Sequence, residues 1–266
     1  MRDDLIADWF HDGGDPARHD PVRAAQAALK PRLPKRFYAE VMVAVLEGRH
    51  AVMLDGRPAR TKARALLAGE NAAVAALVAA EWAAQGAVID PATMPATRIL
   101  HAAIDHVETA RAAVAEEILA YAGTDLVCYR AGDPERLVAM QARHWDPVLD
   151  HARATYGARF ALAEGVCHVA QDLASLAAIR PGIASRAGSA ARLAALHVLT
   201  TISGSALIAL AVADRALDAE AGFDAGEVDA DFEMAVWGSD AEAEARRRNR
   251  RADFLAAAAI LRALEG

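Results

Sequence analysis

From Leu193 to Ala213 the chain runs for 21 residues without a charged side chain, bounded by Arg192 and Asp214. That length would cross a bilayer, so the run is either a membrane span or a segment buried on all sides. Its interior favours burial. Thr200, Thr201, Ser203, Gly204 and Ser205 gather at the middle beside His197, where hydroxyls weaken insertion and a glycine suits close helix packing. No aromatic residue marks either end as an interfacial anchor. The run predicts a helix enclosed in a helical domain, with the Ser-Gly-Ser step admitting a neighbour, and no membrane insertion.

A chain of 266 residues can bury a substantial core as one large domain or two modest ones. Hydrophobic residues make up 55 % and aromatics only 5 %, so alanine and aliphatic side chains fill that core and favour closely packed helices. A net charge of −7 argues against a nucleic-acid partner, whose phosphates need a basic face. Cys128 and Cys167 stand apart without metal spacing and read as two buried thiols in a reducing compartment. The first 20 residues carry Asp3, Asp4, Asp8, Asp12, Asp15 and Asp20 and no apolar core segment. That is wrong for a secretory or organelle leader, and a bacterial cytoplasmic location is expected.

Residues 1–34 read as an extended arm with a short helix around Val22 to Leu29, closed by Pro31 and Pro34. Arg36 to Leu46 is rich in β-branched and aromatic residues, Glu47-Gly48 supplies a turn, and Ala51 to Leu54 ends at Asp55-Gly56, a pair suited to tight hairpin turns. Helical spacing follows: Glu70 to Gln85, then a helix capped by Thr97 and running through Tyr121, then Pro134 to about Tyr156. Residues 159–169 fit a short strand or a loop, and helices are expected at about 172–180, 188–216, 225–236 and 241–264, with Asp240 capping the last. The expected fold class is α+β: the arm, a small β-rich domain with one helix at 35–96, and a larger all-helical domain at 97–266.

No catalytic constellation stands out. His101 and Asp105 are four apart and can meet on one helix face; an acid–base role would need a third partner and a pocket. His144 and His151 lack the ligand geometry of a metal site, and Ser203-Gly204-Ser205 is not a nucleophile elbow. Neither phosphate-binding glycine motif is present, and no cofactor or metal is expected. What remains is an acidic stretch, with Asp224, Glu227, Asp229, Asp231 and Glu233 before Trp237-Gly238 and Asp240, Glu242 and Glu244 after it. Arg246, Arg247, Arg248, Arg250 and Arg251 follow at once. Two readings fit: solvated helices laced by pairs such as Glu242 with Arg246 and Glu244 with Arg248, or a charged docking rim around a tryptophan anchor.

Taken in order, the segments Arg36–Tyr38 (R-F-Y), Leu54–Pro58 (L-D-G-R-P), Ala80–Gln85 (A-E-W-A-A-Q), Met94–Thr97 (M-P-A-T), Thr124–Ala131 (T-D-L-V-C-Y-R-A), Trp145–Pro147 (W-D-P), Ser203–Ala211 (S-G-S-A-L-I-A-L-A) and Trp237–Ala243 (W-G-S-D-A-E-A) resemble one family. It is the assembly chaperone for the α subunit of the ATP synthase catalytic head, found in mitochondria and α-proteobacteria. The resemblance implies a small β domain joined to a helical one. It also implies a non-enzymatic holder that binds the unassembled α subunit as a monomer and covers the surface destined for the β subunit. Acidic residues just before the Trp-Gly step are linked to function in the family. Here Ala230 stands where the family often has glutamate, and Asp229, Asp231, Glu233, Trp237, Asp240 and Glu242 become the expected client-binding set. The alternative is a small-molecule enzyme with a His101/Asp105 pocket between the domains, which predicts a substrate-sized concavity and a perturbed histidine.

Overall fold

The computed structural model describes residues 33–165 and 167–265; the acidic arm and the helix expected at Val22–Leu29 lie outside the described residues. A four-stranded antiparallel sheet comes first. Strands β1 (Val41–Leu46) and β2 (Arg49–Leu54) pair from Val41 with Leu54 to Leu46 with Arg49. The turns on either side of β2 hold Glu47-Gly48 and Asp55-Gly56 at positive φ, the geometry that matches hairpin twist. Strand β3 (Arg57–Pro58) and strand β4 (Ala68–Gly69) both pair with β2. The two-residue alternation sends Val52 and Leu54 into the main core, while Ala51 and Met53 pack with Ala68 on the opposite face.

Helix α1 (Ala72–Ala83) covers the sheet, capped by Asn71, whose Oδ1 accepts from the Val74 N–H. The remainder is almost entirely helical: α2 (Pro95–Ala102), α3 (Glu108–Gly123), α4 (Glu135–Tyr156), α5 (Leu173–Ala184), α6 (Ala190–Ser203), α7 (Ala206–Ala213), α8 (Ala219–Gly226), α9 (Val228–Trp237) and α10 (Ala241–Ala263). A small parallel pair, β5 (Tyr129–Arg130) and β6 (Ala163–Glu164), puts a two-residue strand in the ambiguous 159–169 stretch. One core runs from Tyr38 and Val52 through Trp145 to Ile260, with α6 at its centre against α2, α3, α7, α8 and α10. The expected α+β class is what the chain adopts.

Several boundaries differ from expectation. Thr97 is not a cap: α2 starts two residues earlier at Pro95, and Thr97 sits in its first turn. The orphan N–H groups there are satisfied from α1 instead. Glu81 accepts from the Ala96 and Thr97 N–H groups at 2.7 and 2.8 Å and from the Thr97 hydroxyl at 2.7 Å. The long helix through Tyr121 is also interrupted, by a π-helical turn at Ala103–Val107 and by Ala110 outside helical geometry. The helix expected at 225–236 is α9, and α8 precedes it at Ala219–Gly226, where no helix was expected. Cys128 is buried as expected, and burial pushes its thiol up to about 12, but Cys167 is exposed.

The apolar run itself is not one helix. It breaks at Gly204, which takes φ 70° and ends α6, and Ser205 restarts the chain by accepting from the Ile208 N–H at 2.9 Å. Close approach does occur here, but the neighbour's own glycine permits it: a Cβ on Gly226 would meet the Ser203 Cα at 2.9 Å, whereas one on Gly204 would meet only the Leu126 Cβ, at an ordinary 3.8 Å. Every residue of α7 is buried, so the break could not be left to water. Asp125 fills it. Its carboxylate is wholly buried and accepts from the Leu207 N–H at 3.1 Å and from the Val127 N–H at 3.3 Å, while the Leu126 N–H donates to the Gly204 carbonyl at 3.2 Å. No helix among the described residues is long and apolar enough to cross a membrane.

Burial pushes Asp125 up to about 6 from an ordinary 3.8, against the opposing hydrogen bonds from Ser205, Leu207 and Val127. A raised carboxylate stabilises the fold fully below its unfolded value, and that contribution is lost as pH rises through the folded one. Here the window runs from about pH 3.8 to about 6, and the loss amounts to about 3 kcal/mol. Asp125→Asn is therefore expected to flatten the urea midpoint against pH across that window; parallel profiles for the two proteins would refute it.

Candidate functional site

The sequence-predicted set clusters on one helical hairpin. Helix α9 runs to Trp237, Gly238 turns at φ 84°, and Asp240 caps α10 by accepting from the Ala243 N–H at 2.7 Å. The arginine run lies on the first half of α10 and folds back against α9. Arg247 bonds Asp231 at 2.8 Å and Arg250 bonds Glu227 at 2.8 Å. Glu227 is nearly sealed, with 5 % of its side chain exposed. Burial raises both carboxyls, opposed mainly at Glu227 by Arg250 and at Asp231 by Arg247. The expected helical pairs are present too, Arg246 to Glu242 at 2.7 Å and Arg248 to Glu244 at 3.9 Å; they are exposed and each is worth only a few tenths of a kcal/mol.

The six predicted residues thus have different circumstances. Asp229 accepts from the Gln141 side chain at 2.7 Å, Asp231 is held by Arg247, Asp240 is a cap and Glu242 is paired with Arg246. Glu233 is exposed and forms no ion pair among the described residues. Trp237 is 85 % exposed and Val236 is 49 % exposed, at the very end of the hairpin. Below the indole, a groove of about 400 Å³ is lined by Ala230, Glu233, Met234, Arg246 and Arg250. Ala230 leaves room in it that a longer side chain would fill. Glu227 is the residue the sequence reading undervalued: it precedes α9 and has no partner at helical spacing, so nothing local marks it as the anchor of the hairpin.

The other predicted place, at His101 and Asp105, does hold a cavity, of about 680 Å³. His101 is shifted below its ordinary value, chiefly by burial and against the pull of Asp105. Asp105, however, spends its carboxylate on the Thr61 hydroxyl at 2.5 Å and the Ala63 N–H at 3.3 Å. The pair therefore forms no hydrogen-bonded acid–base relay. His151 likewise bonds Asp214 at 2.8 Å, so it is not free to share a metal with His144. Among the described residues no group of three histidine, cysteine or carboxylate side chains could hold a metal ion.

A family model described as ATP12 chaperone protein matches residues 35–153. Among solved structures, the Atu1473 protein of Agrobacterium tumefaciens, a candidate chaperone, is 43 % identical, with 92 % of each chain covered and a TM-score of 0.83. Atp12 from Paracoccus denitrificans is 38 % identical over 86 % of this chain and 98 % of its own, at a TM-score of 0.77, and a point mutant of that protein matches at 0.76.

Glu227→Ala should destabilise the chain by about 2 kcal/mol, because it removes the nearly sealed carboxylate that ties Arg250 to the start of α9. Trp237→Ala should stay within about 0.5 kcal/mol of the parent, since the indole packs on little. Denaturant midpoints check both, and a Trp237 effect as large as that of Glu227 would mean the indole is structural.

Proposed function

The chain belongs to the ATP12 chaperone family, and from that premise we propose that it binds the unassembled α subunit of the ATP synthase catalytic head. It covers the surface that later meets the β subunit and acts without catalysis, as a monomer in the bacterial cytoplasm. An isolated subunit of an obligate oligomer exposes a large apolar interface and aggregates. A holder must shield that interface and still give way to the true partner, which suits a polar rim with few anchors.

The observation that carries this reading is the hairpin end, where Trp237 and Val236 stand in solvent beside a shallow groove. Tryptophan dominates interface energetics out of proportion to its number, so an exposed indole beside an apolar neighbour is suited to anchor a partner. The acidic set then divides by role. Glu233 and Trp237 meet the client directly; Asp229, Asp231, Asp240 and Glu242 hold the hairpin in shape and contribute a negative rim.

The test is co-purification with the α subunit of the same organism, followed by addition of the β subunit. Capture of free α and its displacement by β are expected, with Trp237→Ala weakening capture about tenfold or more. Glu233→Lys should weaken capture without loss of stability, whereas Asp231→Lys should lower both. An α subunit that stays soluble alone and never co-purifies refutes the function.

A further inference from the structure

The chain is acidic overall, at −7, yet the stretch from β3 onward places Arg57, Arg60, Lys62 and Arg64 within eight residues and no carboxylate among them. None of the four has a carboxylate partner within 4 Å among the described residues. The stretch is nonetheless fixed in place. Asp105 receives the Thr61 hydroxyl and the Ala63 N–H, the Ala65 N–H returns to the Thr61 hydroxyl at 3.2 Å, and Arg60 donates to the Arg64 carbonyl at 2.9 Å. The result is a cationic ledge, tied down by a carboxylate that sits in the π-helical turn.

Two cavities flank it and share Trp82. One, of about 680 Å³, is walled by Trp82, Ile89, Pro91 and Met94 and rimmed by Lys62 and His101. The other, of about 420 Å³, lies between Trp82, Arg57 and Arg60 and is bordered by Phe37, itself 71 % exposed. In the larger cavity's wall the Trp82 Nε1 and the His101 Nε2 are buried and have no hydrogen-bond partner. Both are already out of water, so an occupant that seals the cavity adds no desolvation cost there.

We propose that this ledge and its two cavities form a second client-binding surface, which takes an extended acidic segment of the unassembled subunit and inserts one apolar side chain between Trp82 and Met94. The inference rests on the holding function and adds to it a second place of contact and the chemistry recognised there. Charge complementarity selects the occupant: four cations that have no carboxylate partner among the described residues favour an acidic segment over a neutral one. A small apolar molecule would fill one cavity and leave the ledge and the other cavity unused. An extended peptide segment can span all three.

The experiment places the photo-crosslinker p-benzoylphenylalanine at Ala63, an exposed position on the cavity rim, in the full chain. Capture of purified α subunit is measured separately by pull-down. The expected result is a cross-link to one α-subunit peptide that carries Asp or Glu beside an apolar residue. Arg60→Glu with Lys62→Glu should weaken capture about tenfold and reduce its salt dependence. Should the double variant lose stability, Arg60→Gln with Lys62→Gln, which removes the cations without reversing their charge at two exposed positions, should weaken capture in its place. If α is captured normally but Ala63 never cross-links to it, or reacts only with a second copy of the chain or a small molecule, the inference is overturned while the holding function stands. If α is not captured at all, both fall, and the pull-down reports that outcome separately.

Discussion

A single buried carboxylate lets the helical part of this chain exist in its present form. Uncharged sequence long enough for a membrane span is folded instead into two short helices, and the break between them lies in the core, where orphan backbone groups would each cost one to several kcal/mol. Asp125 reaches into that break and binds the amide of Leu207 in the first turn of α7. An acidic group at a helix N-terminus also meets the positive end of the macrodipole. Around this junction α6 and α7 both pack against α3, α8 and α10. Trp145 closes the arrangement by donating its indole N–H to the Ala225 carbonyl at 2.7 Å.

The segments that carry the family resemblance fall on joints of this kind, not on one surface. Tyr38 donates to the Trp82 carbonyl, Gln85 ties the Glu81 carbonyl to the Thr93 hydroxyl and the Asp90 amide, and Glu81 holds the start of α2. Asp125 and Ser205 do the same for α7. The Trp-Gly segment projects outward, as do Phe37 and Arg57 of the first two segments. The resemblance is therefore mainly a record of how the chain is held together, and the contact surfaces have to be sought where side chains are left without partners.

This division accounts for what the sequence disclosed. Features set by local chemistry were legible: the Glu47-Gly48 and Asp55-Gly56 turns, the Asp240 cap, the helix opened at Pro134, and the i, i+4 pairs on α10. Features set by partners far along the chain were not. Thr97 looked like a cap because its own neighbourhood is cap-like, but the acceptor comes from Glu81, 16 residues away. Gly204 looked like a packing notch inside one helix, and its left-handed conformation became readable only with Asp125 beside it. In the candidate site, the exposure of Trp237 and the short pairs of α10 followed from pattern. The role of Glu227 did not, because its partner Arg250 lies on the returning helix.

The Glu81 bridge has a kinetic consequence. It fastens α1, which rests on the sheet, to the first turn of α2 through three hydrogen bonds in which a carboxylate accepts, and the larger Trp82 cavity straddles that seam. A receptor built across a clamped seam has no closure step: it is complete before anything enters it. Whatever docks there bears the ordering entropy alone. Its rate of arrival is then set by encounter and orientation, and its residence time by how readily the guest, not the host, lets go.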